Sequence, residues 1–324
     1  MRIGRWSLEG VVHDGVLRDD AAVPFAGGRT VADALALGLA GLTEIAGWAD
    51  EAAAVPLGEV ALLVPLEAAT VRDFVAFEEH VEGVTAAVDG ASHVAPEWYE
   101  LPTFYFTNPH TLLPDGATVR PPVSSRVDFE LEVAAVVGRV DGSDGRDLSP
   151  ADAEAHLFGY TIMNDWSARD VQGREMRVRL GPCKGKDFGM SLGPWIVTAD
   201  ELAPYRDGEG FLWIEAEATV NGTRVGHDLL SNMGWPFAEL AAYASRDSRI
   251  VPGDVLGSGT VGNGGCLAEL WGRSGGLTPP PLAAGDEVVL HVQGIGTLRG
   301  TVGIAAEPAA IPPARARSRA RSRA

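Results

Sequence analysis

The stretch GYTIMNDWSARD, Gly159 to Asp170, runs from a β-branched and aromatic apolar segment into Asn-Asp-Trp and then opens onto Ser, Arg and Asp. That pattern predicts a buried strand whose far end carries groups kept for use. Asp165 stands at this end, where an acid serves either as an Asx-turn or capping residue or as one wall of a pocket.

The rest of the chain sets the context. At 324 residues with 46% hydrophobic content, there is material for one large domain, or for a small one beside a large one. The 40 glycines and 21 prolines are spread along the whole length. Spacing of that kind predicts many short strands joined by turns, and so a mainly β protein with some helices, of the α+β class. A net charge of −18 disfavours nucleic acid as a general partner, because a phosphate backbone would meet repulsion over most of the surface. The last ten residues, RARSRARSRA, run against this trend with five arginines and read as a disordered, solvated tail from 307 to 324. The two cysteines, Cys183 and Cys266, supply no disulfide framework and read as packing residues of a reducing compartment. The N-terminus MRIGRWSLEG lacks the apolar core of a signal peptide, and no apolar run approaches the roughly 20 residues of a membrane helix, so a cytoplasmic protein with no membrane partner is expected.

Residues 1–65 alternate short apolar segments around one Ala/Leu-rich helical stretch, TVADALALGLAGLTEIAGWADEA, and predict a small β-rich N-terminal domain. A single catalytic domain is expected over 66–306, opening with a helix in VRDFVAFEEHVEGVTAA. Strands follow at VDFELEVAAVVGRV, FGYTIMNDWS, GPWIVTADEL, FLWIEAEATVNGTRV, DVLGSGTV and DEVVLHVQGIGTLRGTV, with helices at SPADAEAHL and PFAELAAYASR.

The strongest local chemistry is DFELEV. On a strand, Glu130 and Glu132 share one face while Phe129, Leu131 and Val133 take the other. Most Glu-x-Glu pairs are the solvent face of an antiparallel strand. Here both acids sit among residues that read as buried, and like charges held together call for a cation. With Asp165 as a third acid, the set is all oxygen, which suits Mg²⁺, Ca²⁺ or Mn²⁺ over Zn²⁺. In RDFVAFEEH, Asp73 and His80 lie seven residues apart and would share a helix face. A histidine acting as a base needs an orienting acid, and Glu269, on the apolar strand-like segment GCLAELWG, is a candidate.

Taken in order, DFELEV, MNDWSARDVQ, LGPCKGKDFG, GPWIV and GSGTVGNGGCLAELWG resemble the fumarylacetoacetate hydrolase family over about Arg72 to Trp271. The resemblance implies a β-roll or β-sandwich catalytic domain that forms a homodimer. It implies Asp73, Glu130, Glu132 and Asp165 as ligands of a divalent metal, Mg²⁺ or Ca²⁺ with Mn²⁺ as a further choice. His80 and Glu269 become a water-activating dyad, and Arg169, Gln172 and Lys186 face the developing oxyanion. Thr260 contacts the substrate carboxylate or its neighbour, and Tyr105 is an aromatic substrate contact. Two positions depart from the fumarylacetoacetases, Met190 where they carry threonine and Val75 where they carry tyrosine, which points to a changed substrate.

The function so implied is metal-dependent hydrolysis of a carbon–carbon bond in a β-diketo acid such as fumarylacetoacetate or an acylpyruvate. The alternatives are isomerisation or decarboxylation of 2-oxo or 2-hydroxy-diene diacids, and a non-catalytic metal-binding interaction protein.

Overall fold

The structure is a computed structural model that describes residues 1–89 and 92–315, so most of the Arg-rich tail, 316–324, lies outside the described residues. Its centre is the strand Leu157–Asp165, buried along its whole length, with Leu131–Val137 antiparallel on one side and Met190–Thr198 antiparallel on the other. Strand Leu131–Val137 is likewise buried at every position. Its alternate residues feed two cores. Val133, Ala135 and Val137 pack with Ala216, Ala218, Val288 and Leu290. Ala134 and Val136 pack with Ile3, Val16, Phe158 and Ile196. Burial on both faces explains why this run reads as continuously apolar instead of alternating.

Among the described residues the strands form sheets of twelve, five and two. The large mixed sheet carries the order Met190–Thr198, Leu157–Asp165, Leu131–Val137, Val255–Gly257, Val71–Phe74 and Phe104–Thr107 at its functional end. The five-stranded sheet, built around the hairpins Glu215–Leu229 and Glu287–Val302, covers one face. The first hairpin turns at Asn221-Gly222, both at positive φ, as a two-residue turn between right-twisted strands requires. This mainly β, α+β architecture is the one expected.

The N-terminal segment continues the large sheet, since Arg2 and Ile3 pair with Val197 and Ile196 across the position near residue 65 where a domain boundary is expected. Three local expectations need correction. The Ala/Leu-rich stretch is two short helices, Val31–Leu37 and Leu42–Ala46, broken at Gly38, whose φ of 70° and approach to the Arg139 carbonyl leave no room for a β-carbon. The helix expected from Val71 starts at Glu78, because Val71–Phe74 is a strand paired parallel to Val255–Gly257. Glu269 lies on a helix, Leu267–Ser274, capped by Cys266.

Candidate active site

Three strands and one strand entrance bring the acids together. Asp73 comes from Val71–Phe74 and Asp165 from the end of Leu157–Asp165. Glu132 lies in Leu131–Val137, and Glu130 immediately precedes that strand. Between the Asp73 and Glu132 strands runs Val255–Gly257, and Gly257 pairs with Asp73 in register. A β-carbon on Gly257 would stand 2.9 Å from Asp73 Oδ1 and 3.0 Å from Glu132 Oε2, so the glycine leaves the space that the carboxylates face.

All four acids are buried, with Glu132 and Asp165 at 1% exposure. Oxygens of Asp73, Glu130 and Glu132 lie within 4.8 Å of one another. Asp73 Oδ1, Glu132 Oε2 and Asp165 Oδ1 have no hydrogen-bond donor. Burial first, then the neighbouring acids, pushes the carboxyls of Asp73 and Glu132 well above the usual range, and burial with Glu130 also raises Asp165. Buried, unpartnered, mutually repelling oxygens fit a hard divalent cation, which would replace the missing donors and cancel the repulsion. Here the reading of a solvent-facing Glu-x-Glu pair fails.

Cations already flank one side of the cluster. Lys186 Nζ donates to Glu130 Oε2 and lies 2.6 Å from Asp165 Oδ2, to which Tyr105 also donates. Burial would lower the lysine's pKa, but Asp165 and Glu130 outweigh it and hold the ammonium charged. The neighbouring Asp187 is taken by Lys184, not by Lys186. Arg169 Nη2 lies 2.8 Å from both Asp128 Oδ2 and Glu130 Oε1, and its Nη1 donates to Gln172 Oε1 at 3.3 Å. For Glu130, burial is overcome by Arg169 and Lys186, which keep it ionised. Thr260 Oγ1 reaches Glu132 Oε1 at 3.4 Å.

His80 occupies the first turn of helix Glu78–Asp89, with Nε2 3.9 Å from Glu130 Oε1 and Nδ1 3.6 Å from Cys266 Sγ. Asp73 and His80 thus converge from a strand and a helix instead of one helix face. Burial, helped by Arg169 and Lys186, lowers the imidazole to about 4, so it is neutral near pH 7. The carboxyl of Glu269 accepts from Gly264 N at 3.2 Å and lies 2.6 Å from Arg273 Nη2, and burial raises it to about 7.

Two participants are absent from the sequence reading. Asp128, fully buried, accepts from Leu267 N (2.8 Å), Ala268 N (3.0 Å) and Arg169 Nε (2.8 Å), tying the helix of Glu269 to the guanidinium beside Glu130. Its signal was in the sequence: it has the same parity as Glu130 and Glu132. Cys266 had no such signal, because only packing sets its sulfur against His80.

Two cavities adjoin the cluster. One of about 400 Å³ is lined by Tyr105, Phe106, Asn108, Cys183 and Lys186. The other, of about 740 Å³, is lined by Arg126, Arg169, Gln172, Met176, Ala268 and Trp271. A buried acidic cluster suited to a divalent ion, flanked by an imidazole, an ammonium and a guanidinium, has the parts for acting on a small anionic, oxygen-rich molecule.

Residues 69–303 match the family model described as fumarylacetoacetate hydrolase C-terminal. The chain belongs to the fumarylacetoacetate hydrolase family. It is 29% identical over 307 residues to a fumarylacetoacetase of Oryza sativa subsp. japonica, an alignment covering 76% of this chain and 71% of that protein. Among solved structures it resembles a fumarylacetoacetate hydrolase from Exiguobacterium antarcticum, with a TM-score of 0.71 at 23% identity over 94% of this chain and 99% of the other. It also resembles a maleylpyruvate hydrolase from Sphingobium sp. SYK-6 in complex with manganese(II) and pyruvate, with a TM-score of 0.66 at 20% identity over 94% and 100% of the two chains. The acidic cluster of the family member described here falls within the matched region. Among the described residues no helix is long and apolar enough to cross a membrane.

Proposed function

We propose that this protein is a metal-dependent hydrolase that cleaves a carbon–carbon bond in a β-diketo acid of the fumarylacetoacetate or acylpyruvate type. The observation that carries this reading is the set of donorless buried oxygens on Asp73, Glu132 and Asp165 beside a neutral buried histidine. Cleavage of this kind expels a carbanion, which must be delocalised as an enolate. When bound by Asp73, Glu130, Glu132 and Asp165, Mg²⁺, Ca²⁺ or Mn²⁺ would supply that electron sink through chelating substrate oxygens.

The chain's own groups do the rest. His80 takes a proton from water as the water's oxygen attacks the remote carbonyl. Lys186 and Arg169, with Gln172 steadying the guanidinium, stabilise negative charge on the carbonyl oxygen. Tyr105 and Thr260 border the cluster and orient the substrate. The expected His80–Glu269 dyad is not closed, since the Glu269 carboxyl is taken by Gly264 N and Arg273 and the imidazole faces Glu130 and Cys266. Glu269 instead supports the packing of its helix against the one that carries His80, and the active unit is a homodimer.

The test is loss of diketo-acid ultraviolet absorbance across fumarylacetoacetate, acylpyruvates and oxaloacetate, with and without EDTA, in wild type and His80→Ala. The proposal expects EDTA-sensitive cleavage of a diketo acid that His80→Ala abolishes. Turnover of oxaloacetate that needs metal and survives the substitution would replace it with decarboxylation.

A further inference from the structure

Within the site, His80 and Glu130 form a second constellation with Cys266, a buried thiol that the hydrolytic scheme does not use. Their ligand atoms lie within 4.8 Å of one another, and all three residues are buried. The separation of 3.6 Å between His80 Nδ1 and Cys266 Sγ is informative. A tetrahedral ion bonded to nitrogen at roughly 2.1 Å and sulfur at roughly 2.3 Å needs those two atoms about 3.6 Å apart.

We propose that His80, Cys266 and Glu130 form an inhibitory site for a thiophilic divalent cation, Zn²⁺ in the first place, next to the all-oxygen site of the hard metal. The donor sets differ in kind: carboxylates alone on one side, and imidazole, thiolate and one carboxylate on the other. Glu130 can serve both, because Oε2 faces Lys186 while Oε1 faces His80 and Arg169. Arg169 would give up Glu130 Oε1 but keep Asp128, which it holds through Nε and Nη2 at 2.8 Å each.

On binding, the Cys266 thiol loses its proton to solvent, and lone pairs of the sulfur, one imidazole nitrogen and a Glu130 carboxylate oxygen form the new bonds with no change in oxidation state. The ion thereby occupies the imidazole needed to accept a proton from water. That inhibitory consequence rests on the proposed role of His80, whereas the site itself rests on geometry alone.

Cobalt(II) tests the site without an activity assay. Added to the Mg²⁺-loaded protein, Co²⁺ should give an intense near-ultraviolet sulfur-to-cobalt charge-transfer band. Stoichiometric Zn²⁺ should bleach it. Cys183→Ser should keep the band, while Cys266→Ser and His80→Asn should each lose it and weaken Zn²⁺ binding by about 100-fold or more, since even outer-shell losses cost roughly 10–100-fold. A wild-type protein that binds Co²⁺ without the band overturns the proposal, and so does a band that persists in Cys266→Ser or disappears in Cys183→Ser. If Cys266→Ser does not fold, the wild-type, Cys183→Ser and His80→Asn spectra still decide the matter.

Discussion

Gly83 stands directly over Glu269: a β-carbon on Gly83 would lie 2.3 Å from Glu269 Cγ and 3.0 Å from its Cα. The helix bearing His80 and the helix bearing Glu269 therefore meet at a glycine, and Gly272 returns the contact against the Gly83 carbonyl. Gly83→Ala should force the helices apart, at a cost of roughly 1–3 kcal/mol from overpacking that outweighs the gain in helix propensity of at most about 1 kcal/mol. Urea denaturation measures the balance. An alanine variant as stable as wild type, with its activity intact, would show that the two helices need not be this close.

The unpartnered acids should make the protein's stability depend on metal. Saturating Mg²⁺ at 100 times its Kd should add about 2.7 kcal/mol, read as a rise in melting temperature that EDTA reverses. Glu132→Gln should raise the melting temperature in EDTA by relieving repulsion with Asp73 and Glu130, and should remove most of the metal-induced rise. If Glu132→Gln melted lower than wild type in EDTA and kept the full response to Mg²⁺, the assignment of Glu132 as a ligand would be wrong.

Lys186 is the cation that Glu130 and Asp165 share. Lys186→Met leaves both carboxylates buried without it, and breaking such a pair costs roughly 3–5 kcal/mol. Metal bound by the same carboxylates would take over part of the compensation. The penalty should therefore shrink when Mg²⁺ is present, which paired thermal melts with EDTA and with Mg²⁺ would reveal; equal penalties in both would separate the lysine from the metal cluster.

Glu269 sets a pH dependence. Its folded value of about 7 lies above the ordinary 4.5, so folding favours the protonated carboxyl. The stability this contributes is fully present below about pH 4.5 and is lost as pH rises through 7. Glu269→Gln abolishes the titration. Relative to that variant, wild type should lose up to about 3 kcal/mol between pH 4.5 and 8, measured by urea denaturation at both ends. A constant difference would mean that Arg273 holds the carboxylate ionised throughout.

Much of the site was legible because its residues carry local signals. Glu130 and Glu132 share strand parity, and Asp165 ends a strand whose apolar run is unmistakable. Asp73 was identified as an acid of the site but placed on a helix. Seven residues separate it from His80, a spacing that a helix and a strand-turn-helix satisfy equally well, and pairing with Val255–Gly257 decides between them. The same holds for Glu269, whose apolar neighbours fit a buried strand until Cys266 and Asp128 cap the segment as a helix.

By itself the sequence determined the kinds of groups available: an acidic chain with an all-oxygen set of candidate ligands, one histidine near them, and strands buried on both faces. Those follow from residue type and period, which are local properties. Tertiary structure decided the partners. Cys266 meets His80 across 186 positions of chain, and Asp128 ties Arg169 to a helix end 139 positions away. Neither contact has a local sequence cause, because side-chain partners at such separations are chosen by the packing of the elements that carry them.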